Sequence, residues 1–116
     1  MEKDKNKLRM LSLDFAIRVS DMCDEIKGIS VFTNQLLRAS SSIGANIHEA
    51  RYAQSKPDFI NKLEIALKEA NETEYWLELI YRKRKLSDEQ YKELQRDCGT
   101  IRRMLISSVT TAKKNS

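Results

Sequence analysis

Turn-forming residues are scarce in this sequence: 116 residues contain three glycines and one proline. Few sites favour sharp turns, and no alternating strand pattern, internal repeat or low-complexity segment is present. No apolar run approaches the roughly 20 residues a membrane-spanning helix needs, so no membrane partner is expected. The opening stretch, MEKDKNKLRM, lacks the apolar run of a signal peptide, and a cytoplasmic location is the default expectation. His48 is the sole histidine, and Cys23 and Cys98 are the only cysteines, so the usual Cys/His zinc spacings are absent. In a cytosolic chain the two cysteines read as reduced, buried, small apolar residues rather than a disulfide.

Catalytic constellations are equally thin. There is no Gly-rich phosphate loop and no Ser/His/Asp set. Neither cysteine has the nearby histidine of a thiol catalyst. Glu49, Glu69, Glu72 and Glu74 invite comparison with di-iron bundles, which use Glu-x-x-His pairs on two helices. His48 sits beside Glu49 rather than at that spacing. No catalytic residue, metal or cofactor is expected, and the chain reads as a non-enzyme.

What is present is helical periodicity. Charged residues make up 33% of the chain and apolar residues 41%, a balance suited to one folded domain over residues 1–116. Leu8, Leu11, Phe15, Val19, Met22 and Ile26 recur at steps of three and four, predicting a helix over about 8–27 that Gly28 can end. Ser30 is a plausible N-cap for a second helix, about 31–52, with Leu36, Ala39, Ile43, Ile47 and Ala50 as its stripe. Small residues crowd it. Gly44 there costs about 1 kcal/mol relative to Ala, which points to close helix packing.

Ser55 and Asp58, with Pro57 in the first turn, start a third helix over about 56–84. Its stripe is Phe59, Leu63, Ala66, Ala70, Leu77 and Ile80. Ser87 and Gln90 form a capping box for a fourth, about 88–112. That stripe is Tyr91, Leu94, Cys98, Ile101, Leu105 and Val109. Four amphipathic helices with short connections predict an all-α, antiparallel up-down-up-down four-helix bundle.

The net charge of +4 is unevenly placed along the chain. In that topology Arg82, Lys83, Arg84 and Lys85 close one end. Lys3, Lys5, Lys7, Arg51, Lys56, Lys113 and Lys114 gather at the other. Two basic ends and a more acidic waist are expected. Such patches attract phosphate backbones by releasing counterions, although basic residues also complement helix dipoles. Tyr52 and Tyr81 stand near the bases, where they either stack on unpaired bases or cover the bundle rim. Apolar residues also exceed one stripe per helix. Met10, Leu13 and Ile17 lie nearly opposite Phe15 and Met22, and Ile65 and Trp76 fall off the third stripe. Surplus of this kind predicts self-association.

Two segments carry a family resemblance. QLLRASSSIGANIHEARYAQSKPDFINKL spans Gln35 to Leu63, and ALKEANETEYWLELI spans Ala66 to Ile80. Together they resemble the four-helix-bundle proteins of the 23S rRNA intervening-sequence family, which also resemble the accessory subunit of diversity-generating retroelements. The resemblance implies a bundle that assembles as a homopentamer. It also implies nucleic acid, RNA or DNA, or a reverse transcriptase as possible partners. The matching polar positions are Arg38, Ser42, Asn46, Glu49, Lys68, Glu69 and Glu72. Their spacing lines one face of each of two helices, as a polar seam fixing register or as a binding site. The resulting expectation is a homo-oligomeric bundle binding RNA through basic ends. The alternative is a protein-interaction scaffold or reverse-transcriptase accessory subunit with no RNA role of its own.

Overall fold

The computed structural model describes the backbone of residues 2–115 and the side chains of residues 6–115. Its elements are four helices: α1 (Glu2–Glu25), α2 (Ser30–Ala50), α3 (Lys56–Arg82) and α4 (Asp88–Lys114). The first begins six residues before the expected start at Leu8. That opening turn has no apolar periodicity to reveal it, but Glu and Lys are good helix formers. Gly28, with φ of 90°, supplies the left-handed turn that follows α1.

The helix starts differ in how they are capped. Ser87 and Gln90 form the expected reciprocal box, each bond 3.1 Å long. Ser55 accepts the Asp58 N–H at 3.2 Å, while Asp58 turns back to accept the Gln54 N–H at 3.3 Å. Ser30 does not cap α2. It is the first helical residue, the cap position falls to Ile29, and no side chain bonds there. Ile29 packs against the core as the chain leaves Gly28, so burial rather than capping sets this entry.

Contacts show how the helices run. Cys23 Sγ lies 3.8 Å from the Thr33 carbonyl, while Ser12 faces Gly44. Phe32 meets Trp76 and Arg38 meets Glu69. Tyr81 stacks on Tyr91, and Lys113 reaches Glu64. Along each of these seams rising numbers on one helix meet falling numbers on the next, so neighbours are antiparallel. The helices form a ring in which α1 and α4 close the bundle.

Phe15, Leu36, Ile43, Leu77, Ile80 and Leu105 are fully buried at the centre. Ala39, Ala66 and Ala70 have no exposed surface, which brings α2 and α3 close along their length. Gly44 serves α1 instead, because a Cβ added there would lie 3.3 Å from Ser12 Oγ. Buried hydroxyls satisfy themselves within their own helices. Ser12 donates to the Arg9 carbonyl at 2.9 Å, Ser40 to Leu37 at 3.2 Å and Thr73 to Glu69 at 2.8 Å.

The α1–α4 seam is the thinnest. Arg18 spans it, bonding Asp97 at 2.7 Å and Glu93 at 3.2 Å. An open groove of about 260 Å³ between Leu11, Asp14, Thr100 and Ile101 flanks that bridge.

Candidate nucleic-acid interface

The seven polar motif positions divide into three groups. Arg38 lies on α2 with about half its side chain exposed, and it crosses to α3. Its guanidinium meets Glu69 at 3.2 Å and Glu72 at 2.8 Å. Bonding to Glu72 and the charge of Glu69 raise the Arg38 pKa further above its ordinary value. Glu69 is buried, so this cation compensates a carboxylate that has left water. Ser42 and Asn46 form the second group, Asn46 Nδ2 donating to the Ser42 carbonyl at 2.8 Å along their own helix. Glu49 and Lys68 are exposed and stand outside both arrangements.

The Arg82–Lys85 run closes α3 at the same end as the α1–α2 turn, where a Cβ on Gly28 would lie 3.9 Å from Lys85 Nζ. Arg82 pairs with Glu78 at 2.9 Å. Lys83 Nζ sits 5.9 Å from the centroid of the Phe32 ring. Arg84 carries φ of 63°, unusual for a residue with a Cβ. Lys85 is exposed. Beside the run, Tyr81 and Tyr91 stack face to face with centroids 4.1 Å apart. The Tyr81 hydroxyl donates to Asp88 at 2.6 Å, and that bond raises its pKa. Sequence spacing offers no sign of this tyrosine pair, whose members lie on different helices.

At the opposite end Lys56 Nζ donates to the Asn115 carbonyl at 2.9 Å, and Lys113 pairs with Glu64 at 3.1 Å. Arg51 and Lys114 are exposed. Lys7 joins them through the α1–α2 register, while the side chains of Lys3 and Lys5 lie outside the described residues. Tyr52 is 70% exposed, in an edge-to-face arrangement with His48 with ring centroids 5.5 Å apart.

The surplus apolar residues behave unequally. Met10, Leu13 and Ile17 form an exposed line on α1. Ile65 and Trp76 are half-buried, and Trp76 packs between Phe32 at 6.2 Å and Tyr75 at 5.0 Å. Val31, Tyr75 and Ile106 are exposed apolar positions that helix periodicity did not single out.

Among the described residues no group of three or more His, Cys, Asp or Glu side chains could hold a metal ion. Burial pushes the Cys98 thiol up to about 12 and the Cys23 thiol up to about 11, which leaves both protonated and unreactive at neutral pH. No helix among the described residues is long and apolar enough to cross a membrane.

These features define a four-helix bundle with charged ends. The chain belongs to the family described as 23S rRNA-intervening sequence protein, which it matches over residues 4–107. Among solved structures it is similar to a protein of unknown function from the S23 ribosomal protein family of Bacteroides thetaiotaomicron VPI-5482. The two are 45% identical with a TM-score of 0.86, over 92% of this chain and 98% of that one. No curated protein matches the chain.

Proposed function

We propose that this chain is a non-enzymatic, self-associating bundle that binds nucleic acid, RNA ahead of DNA, through its basic ends. The observation that carries the reading is the collection of exposed cations at the bundle ends, contributed by Arg51, Lys56 and Lys114 at one and Arg84 and Lys85 at the other. Phosphate backbones bind such surfaces with a strong salt dependence. The exposed line of Met10, Leu13 and Ile17 supports self-association, and the family resemblance suggests a homopentamer. Five copies would multiply weak phosphate contacts through avidity.

Fluorescence anisotropy with labelled RNA tests the binding claim. Affinity should fall steeply as salt rises from 50 to 200 mM, by several powers of ten if six or more phosphates are engaged. No binding at low salt overturns it. Leu13→Glu and Ile17→Glu should each dissociate the oligomer without loss of helicity.

The same apolar line favours a second reading, in which a protein partner such as a reverse transcriptase docks on it. Binding to such a partner would persist at high salt and after nuclease treatment.

A further inference from the structure

The two basic ends are not equivalent. Arg18, Arg38, Ala70 and Cys98 stand at one level, as the Arg18–Asp97, Arg38–Glu69 and Ala70–Cys98 contacts show. Everything from 71 to 97 lies towards the Arg82–Lys85 end, and that stretch has six bases against seven acids. Residues 19–37 add three acids and one base at the same end. The run is therefore set among carboxylates, with Glu78 paired to Arg82 and Asp88 bonded to Tyr81. Glu78, 2.9 Å from Arg82, lies well within a Debye length of about 8 Å and opposes any approaching phosphate.

The opposite end has the reverse balance. Residues 99–114 of α4 contain four bases and no acid. Two of the neighbouring acids are engaged, Glu64 by Lys113 and Asp58 by the Gln54 N–H, while the exposed Glu49 is outnumbered by Arg51, Lys56 and Lys114. The exposed rings differ in the same sense. Tyr81 has one ring face covered by Tyr91, with the planes only 3° apart. Tyr52 is 70% exposed, and its ring neighbour, His48, meets it edge-to-face rather than stacked, with the planes 61° apart. An exposed aromatic ring among cations in excess of acids is what stacks unpaired bases while their phosphates are neutralised. A duplex keeps its bases stacked inside and offers that ring nothing.

Resting on the proposed nucleic-acid binding, we infer that the end formed by the α2–α3 turn and the C-terminus of α4 is a single-strand-binding surface. Tyr52 is its base platform, and Arg51, Lys56 and Lys114 are its phosphate contacts. The Arg82–Lys85 run is secondary.

The test uses the full chain and two labelled probes, a 20-nucleotide oligouridine and a 20-base-pair RNA duplex, read by anisotropy over a salt series. Tyr52→Ala should weaken oligouridine binding at least about fivefold, with little change for the duplex, and Tyr52→Phe should restore it. Replacing Arg51, Lys56 and Lys114 together by Gln should lower the salt slope for oligouridine by about 2. The matching quadruple change at Arg82–Lys85 should lower it by less. Circular dichroism confirms that each variant keeps its helicity. If the wild-type protein binds oligouridine but only the Arg82–Lys85 variant loses it, this assignment is overturned while nucleic-acid binding stands. Equal loss of both probes in Tyr52→Ala also overturns it. If the wild-type protein binds neither probe, the broader function falls and the assignment with it.

Discussion

Replacing Arg84 by glycine should make the bundle more stable. Arg84 follows the α3 cap with φ of 63°. Its N–H donates to the Tyr81 carbonyl at 2.8 Å, and the next N–H, from Lys85, reaches Ile80 at 3.2 Å. Glycine usually stands where these two bonds end a helix. A residue with a Cβ spends about 1–2 kcal/mol to adopt that conformation. Glycine avoids this, but gives back about 0.5–1 kcal/mol through the greater freedom of the unfolded chain. The net gain should be about 1 kcal/mol, or roughly 4 °C in Tm for a domain of this size.

Loss of the repulsion between Arg84 and its neighbours Arg82, Lys83 and Lys85 would act in the same direction, so Arg84→Ala is the control. Alanine removes the charge and keeps the Cβ. Thermal and urea unfolding at low and high salt should show stabilisation for Gly that persists in salt, with little or none for Ala. Equal gains for the two variants, or a lower Tm for Gly, would refute the strain argument.

Other substitutions probe the seams. Gly44→Ala should be close to neutral, since about 1 kcal/mol of helix propensity is set against the tight approach to Ser12. Gly44→Val should cost about 1–3 kcal/mol in urea unfolding by forcing α1 away from α2. Arg38→Ala should cost about 1–3 kcal/mol, chiefly by leaving the buried Glu69 carboxylate without its partner. Glu69→Gln in the same background should recover part of that loss. The thiols give a pH prediction. Burial lifts Cys98 from an ordinary 9.0 to about 12, so its contribution to stability is complete below pH 9 and is lost as pH rises through 12. Native protein at pH 8 should resist thiol reagents that label both cysteines after denaturation.

The core was legible because burial leaves a period in the sequence. Phe15, Leu36, Leu77 and Leu105 stand on their stripes and are fully buried. The Ser87–Gln90 box was legible for a similarly local reason. Ser30 was misleading because a good capping residue does not cap when the neighbouring Ile29 sets the entry of the chain. Pairings between helices were beyond local reading. Arg38 finds Glu69 and Glu72 only once α2 and α3 are in register, and Tyr81 finds Tyr91 across a turn. The charge run at Arg82–Lys85 stood out in one dimension. Folding sets Glu78 of α3 and Asp88 of α4 beside it, whereas Lys56 is brought to the end of α4 near Lys114.

Light scattering coupled to size exclusion, with and without RNA at low and moderate salt, tests self-association and nucleic-acid binding in one measurement. A pentamer of this 13.5 kDa chain that gains RNA mass at low salt and sheds it as salt rises is the predicted result. A monomer, or an oligomer whose mass is unchanged by RNA at every salt concentration, would contradict it.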